Sequence, residues 1–200
     1  MSETILYFHS LSSPWAFLGA QNLYAIARKH GAEIIPRPIF VQEENGGIPL
    51  RSRPTARQDY HALELDRWRR HLDLPLKLKP KYYPTVPLEA CYMVIAARQA
   101  GVDALELSYQ LLKALWADER DTKDPEVRRA IADAIGLDGA ALLARAATPG
   151  VEAEWEANKA EALALGIFGT PTYVLDGVIY WGQDRLDFLD RALAAKTGVQ

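Results

Sequence analysis

Apolar and polar positions change period several times along this chain. Residues 4–8, Thr-Ile-Leu-Tyr-Phe, form a short β-favouring apolar run that predicts a buried strand. After Ser13-Pro14 the spacing turns helical as far as His30, and Gly31 ends it. Residues 33–40 return to a strand pattern, with Pro36 and Pro38 limiting where it can donate ladder hydrogen bonds. The opening therefore reads β-α-β. A long functional loop is expected over 42–57, where Gly46-Gly47, Pro49 and Pro54 fall, leading into a helix over 54–71. Beyond a second loop over 74–87, the pattern predicts helices over 88–100, 104–117, 125–135, 140–147 and 151–165. Asp124-Pro125 and Thr148-Pro149 read as caps followed by proline, and Gly101, Gly136 and Gly166 as stops. The ending returns to strands at 172–175 and 178–181 about an Asp176-Gly177 turn, then a helix over 184–195 with Leu186, Leu189 and Leu193 on one face.

This order predicts an α/β thioredoxin-like fold, its β-α-β half (1–41) and β-β-α half (166–200) interrupted by an all-helical insertion (42–165). At 200 residues with 49% apolar positions, such a chain can bury roughly 70% of its unfolded surface. The 23 basic and 26 acidic residues are interspersed, so no polyelectrolyte field favours nucleic acid. The first apolar run is too short for a signal segment, and no run long enough to span a bilayer follows. A cytoplasmic protein with a small-molecule partner, and with neither nucleic-acid nor membrane partners, is expected.

Cys91 is the only cysteine, which excludes an internal disulfide, a Cys-x-x-Cys redox pair and a thiolate zinc site. It lies on an apolar helix and reads as a buried filler. His9, His30 and His61 lack metal-ligand spacing, so no metal is expected. Any thiol chemistry must use a thiol brought in from outside.

Three short segments could carry such chemistry. Ser13 precedes Pro14 where strand gives way to helix, so its hydroxyl sits beside unpaired backbone N–H groups and the positive helix end, a place that favours an anion. Thr170-Pro171 directly precedes a strand, where a cis bond would leave the Thr170 backbone free to pair with an extended ligand. Gly182-Gln183-Asp184 opens the last helix, where N–H groups can take a carboxylate and Asp184 an ammonium. Each has a plainer reading as a cap or loop. The cluster at 67–71, Arg-Trp-Arg-Arg-His, reads as a solvated helix face, and Trp15, Tyr82, Tyr83 and Trp116 as an aromatic wall.

Taken together, Ser-Pro-Trp after the first strand, Phe-Gly-Thr-Pro before the third and Trp-Gly-Gln-Asp-Arg-Leu before the last helix resemble the signature of the 2-hydroxychromene-2-carboxylate isomerase and kappa-class glutathione transferase family. Arg57, Tyr60, Arg67 and Trp68 resemble that family's residues on the first inserted helix. The resemblance implies glutathione as cofactor: Ser13 bonding its sulfur, Thr170 and Pro171 its cysteinyl backbone, Gln183 and Asp184 its γ-glutamyl group. Asn45 is the nearest counterpart of an asparagine that contacts glutathione or substrate in family members. Trp15, Arg57, Tyr60, Tyr82 and Tyr83 would face an aromatic substrate, and a homodimer is expected. The link His9-Ser10-Leu11-Ser12 is one residue longer than in many members and lacks their aspartate, which leaves Ser12 as a rival to Ser13. The implied activity is isomerisation by reversible thiolate addition. A glutathione transferase or peroxidase, and a non-catalytic peptide-binding module, are the alternatives.

Overall fold

The structure, a computed structural model, describes residues 2–198. Strands β1 (Thr4–His9) and β2 (Glu33–Pro38) run parallel, joined by helix α1 (Pro14–His30). Strands β3 (Thr172–Leu175) and β4 (Val178–Trp181) form a hairpin, and β3 pairs antiparallel with β1 to give the order β2-β1-β3-β4. The hairpin turn works because Asp176 and Gly177 both take positive φ, 50° and 77°, as two-residue turns matching strand twist require. β2 stops at Pro38, two residues before the sequence pattern does. Ile39 still donates to His9 O at 2.9 Å, but Phe40 turns away to pack against Trp155.

Side chains alternate faces with period two. Ile5, Tyr7, Tyr173 and Leu175 pack with Leu23 and Ile26 of α1 and with Leu186, Leu189 and Leu193 of helix α8 (Leu186–Thr197). Phe8 and Val174 face the other way, onto Ile39, Ile167 and Ala162. Between the halves run α2 (Thr55–His71), α3 (Leu88–Gln99), α4 (Ala104–Trp116), α5 (Pro125–Ala134), α6 (Gly139–Ala146) and α7 (Pro149–Ala164). Asp103, Asp124 and Asp138 accept from backbone N–H groups at the starts of α4, α5 and α6. Thr148 occupies the corresponding position before α7 without capping it, because its hydroxyl donates to Arg145 O at 2.7 Å.

The helices share a core with α1. Leu11, Phe17 and Leu18 pack with Met93, Val94 and Ile95 of α3 and Leu111 and Leu115 of α4. Each such burial is worth about 1.5–3 kcal/mol, so the first turn of α1 is clamped between the sheet core and the helical core. Cys91 and Trp116 belong to this interior, where burial pushes the Cys91 thiol up to about 12. His9 is also fully buried. It stacks on Tyr7 at 4.1 Å, lies 3.1 Å from Tyr7 O through Nδ1, and reaches Ser108 Oγ through Nε2 at 2.7 Å, pinning β1 to α4. Among the described residues no helix is long and apolar enough to cross a membrane, and no group of His, Cys, Asp or Glu could hold a metal ion.

Candidate active site

Ser13 is the N-cap of α1, in extended backbone conformation (φ −83°, ψ 118°) with Pro14 as the first helical residue. Its Oγ accepts from Ala16 N–H at 3.2 Å and donates weakly, at 3.4 Å, to Thr170 O on the opposing loop. A hydroxyl so placed is polarised by the helix end and holds its proton in a bond long enough to be exchanged at small cost. Ser12 differs: its hydroxyl lies 3.1 Å from Ser10 Oγ and its N–H donates to the same atom.

The loop facing Ser13 carries a cis Thr170-Pro171 bond. Pro171 O accepts from Gly182 N–H at 2.9 Å, which ties this loop to the end of β4, while no partner among the described residues takes Thr170 N–H. Gly182 turns the chain at φ 101° and accepts from Arg185 N–H at 3.1 Å. Residues Gln183–Arg185 are therefore a 3-10 turn, and the last helix begins at Leu186, two residues later than its sequence pattern suggests. Gly19 lets this turn sit against α1, since a Cβ there would lie 2.7 Å from Gln183 Cβ. Gln183 is consequently buried, and its Nε2 has no partner among the described residues. Asp184 stays exposed, with Oδ2 2.7 Å from Arg185 Nη1.

These pieces line a cleft of about 810 Å³, within the range of small-molecule sites. Ser13, Trp15, Thr170, Pro171, Gln183 and Asp184 meet there with Arg57, Tyr60 and Tyr83. Asn45 and Tyr82 do not line it. The Asn45 amide donates to Leu163 O at 3.2 Å and Ile167 O at 2.9 Å, tying the last turn of α7 to the loop that leads to Thr170. Tyr82 packs on the helical core with Lys81 over its ring at 4.9 Å. Trp116, expected in the aromatic wall, is core, with Tyr83 packed on it at 4.7 Å. Within the 67–71 cluster the Arg67 guanidinium pairs with Glu64 at 2.5 Å, yet Trp68 reaches the cleft.

Sequence reasoning missed His61 and Arg53, both on the cleft wall. The signal for His61 lay in α2 itself: Arg57, Tyr60, His61, Glu64 and Trp68 recur at helical spacing and all face the cleft, while Leu65 is its buried residue. His61 Nε2 accepts from the Trp15 indole N–H at 3.0 Å. Burial first, and the Arg53 charge second, lower His61 to about 4.

Comparison with known proteins extends this picture. A 2-hydroxychromene-2-carboxylate isomerase of Sphingobium xenophagum is 28% identical over 201 residues, covering 96% of this chain and 99% of its own. A solved 2-hydroxychromene-2-carboxylate isomerase superposes with a TM-score of 0.80 at 22% identity, over 96% of this chain and 95% of its own. The cytosolic disulfide reductase DsbM of Pseudomonas aeruginosa, solved with glutathione, superposes with a TM-score of 0.71 at 15% identity, over 96% of this chain and 98% of its own. The family model for the DSBA-like thioredoxin domain matches residues 4–194. With its four-stranded sheet, the helices between the sheet's two halves, and the serine-capped first helix facing a cis-proline loop, this chain belongs to the DSBA-like thioredoxin domain family.

Proposed function

We propose that this chain is a glutathione-dependent isomerase acting on aromatic acids of the 2-hydroxychromene-2-carboxylate and trans-o-hydroxybenzylidenepyruvate type. The observation that carries this reading is the Ser13 hydroxyl at the start of α1, aimed across the cleft at the open Thr170 edge. The likeness of 96% and 94% of the chain to two relatives named 2-hydroxychromene-2-carboxylate isomerase supports it.

The residues present fit the cofactor. Gln183 Nε2 is a buried donor lacking a partner among the described residues, Thr170 offers N–H and C=O, and Asp184 can exchange Arg185 for an ammonium. When bound, glutathione supplies a thiolate that adds reversibly to a conjugated carbon and so removes the double-bond barrier to rotation. Ser13 turns its proton from Thr170 O toward the sulfur while Ala16 N–H keeps its oxygen polarised. A charge-assisted hydrogen bond of this kind is worth about 1.5–3 kcal/mol, enough to lower a thiol from its ordinary ~8.5 by about one to two units. Trp15, Tyr60, Trp68 and Tyr83 supply flat apolar walls that hold an aromatic ring and exclude water.

Disulfide exchange, the chemistry of the structurally similar disulfide reductase, has no thiol pair to work with, because Cys91 is the single cysteine and is fully buried. Calorimetric titration with glutathione and S-methylglutathione at several pH values tests the reading. Binding is expected in the micromolar to millimolar range with thiolate absorbance below about pH 8; silence with both compounds rejects it. Product analysis separates isomerase from transferase, since an altered substrate over an unchanged glutathione pool is the isomerase result.

A further inference from the structure

His61 enters the cleft with its tautomer set. Its Nε2 accepts the Trp15 indole N–H at 3.0 Å, with the two rings edge to face at 5.3 Å. A neutral imidazole carries one N–H, so the proton sits on Nδ1. No acceptor among the described residues meets Nδ1, and the ring lines the cleft. Protonating His61 would place a second cation near Arg53 and break the Trp15 bond, because an N–H at Nε2 cannot accept. Arg53 and Arg57 stand on the same wall, and neither pairs with a carboxylate among the described residues. Glu64, the acid of α2 that lines the cleft, is held by Arg67. One wall of the cleft thus presents a neutral donor beside two uncompensated cations.

We propose that His61 is a further catalytic residue, donating Nδ1–H to the carbonyl oxygen of an aromatic 2-oxo acid whose carboxylate is taken by Arg53 and Arg57, with Trp15 as the positioning residue that holds the tautomer. This assignment rests on the isomerase reading. In that reaction a nucleophile attacks the conjugated carbon, the double-bond pair moves through the conjugated system, and the carbonyl π pair comes to rest on oxygen as negative charge. The Nδ1–H bond to that oxygen tightens without losing its proton, and relaxes when the pair returns and the nucleophile leaves. A neutral donor suits the task because it stabilises the growing charge without trapping it as an enol.

The test uses the full chain and begins without glutathione. Nitrogen and proton NMR of the imidazole should show the Nδ1–H tautomer, and Trp15→Phe should mix the tautomers. Titration with benzoylformate, an aromatic 2-oxo acid, should move the Nδ1–H resonance downfield, and Arg53→Gln with Arg57→Gln should weaken that binding about tenfold. With glutathione and trans-o-hydroxybenzylidenepyruvate, His61→Phe should lower kcat on the order of 100-fold while leaving glutathione affinity unchanged, and His61→Gln, which keeps an N–H, should recover part of the loss. An Nε2–H tautomer in the parent, an unmoved resonance with benzoylformate, or His61→Phe turning over within about twofold of the parent overturns the proposal. Loss of the isomerase reading is recognised separately, as absence of glutathione binding by the unaltered chain, and does not alter the NMR outcome. Should His61→Phe fail to fold, His61→Gln and the spectra of the parent decide.

Discussion

Replacing Ser13 separates the cap that its oxygen forms from the bond to a cofactor sulfur that we propose for it. As N-cap it accepts Ala16 N–H at 3.2 Å, and an alanine there leaves that donor unpaired at a cost of about 1 kcal/mol, whereas glycine at an N-cap costs only a few tenths. For a chain of this size about 1 kcal/mol lowers Tm by roughly 2–4 °C. As hydrogen-bond donor to a bound sulfur the hydroxyl is lost equally in both variants, and about 1.5–3 kcal/mol of thiolate stabilisation goes with it. At 1.36 kcal/mol per unit, the bound thiol should titrate about one to two units higher in Ser13→Ala and in Ser13→Gly alike. Ultraviolet thiolate absorbance of the glutathione complex against pH reads that shift. Turnover near neutrality should fall about 10- to 100-fold and recover as pH passes the raised value. Ser12→Ala should move neither quantity, its hydroxyl being engaged with Ser10. The reasoning is refuted if Ser13→Gly leaves the thiol titrating where the parent's does, for then the hydroxyl only caps the helix.

Other perturbations follow from the scaffold. Burial lowers His9 to about 4, so below its unfolded value of ~6.5 the unfolded chain binds a proton that the folded chain refuses, and stability falls as pH falls. That loss amounts to about 2 kcal/mol between about pH 7.5 and about pH 5. Urea titrations at both values should show it shrinking in His9→Asn, and an equal drop in parent and variant would assign the effect to other groups. Asn45→Ala removes the donor serving Leu163 O and Ile167 O, and should lower stability by about 1–3 kcal/mol, read as a shifted urea midpoint. In Gly19→Ala the new Cβ would meet Gln183 Cβ at 2.7 Å and Tyr173 Oη at 2.9 Å. Overpacking of about 1–3 kcal/mol outweighs a helix-propensity gain of about 1 kcal/mol, so Tm should drop and glutathione affinity with it; a more stable variant with intact affinity would show that the turn yields.

Much of this was legible in the sequence because the signals are local. Ser13-Pro14, Asp124-Pro125 and the Asp176-Gly177 turn are written within a few residues, and the structure realises them at those positions. What escaped depends on partners distant in the chain. Asn45 sits in a glycine-rich loop that suggests ligand contact, yet the carbonyls that capture it lie more than a hundred residues onward. Thr148 has the residue type of a cap, but its hydroxyl finds Arg145 O first. Trp116 and Tyr83 are alike in their aromatic character, and only packing makes one core and the other wall. On α2, where Arg57 and Tyr60 were expected at the substrate, His61 was hidden for another reason: a helix whose polar residues point into a cleft has the same composition as one whose polar residues point into water.

In the proposed reaction the division of tasks between ends and middle has a physical origin. A helix start facing a cis-proline loop creates one electropositive spot beside one open backbone edge, both built from main chain, and they suit a sulfur anion attached to a peptide whatever side chains surround them. With serine at that spot the chain can donate a hydrogen bond to sulfur but cannot form a bond with it, so its contribution there is electrostatic and reversible. Discrimination among electrophiles must then come from side chains that touch the second reactant, and in the proposed reaction these are Arg53 ahead of α2 and Arg57 on it for an acid, Tyr60 and Trp68 for a ring, and His61 for an oxygen. A change on α2 should therefore alter which acid is turned over while leaving the titration of the bound thiol in place, and a change at Ser13 should do the reverse.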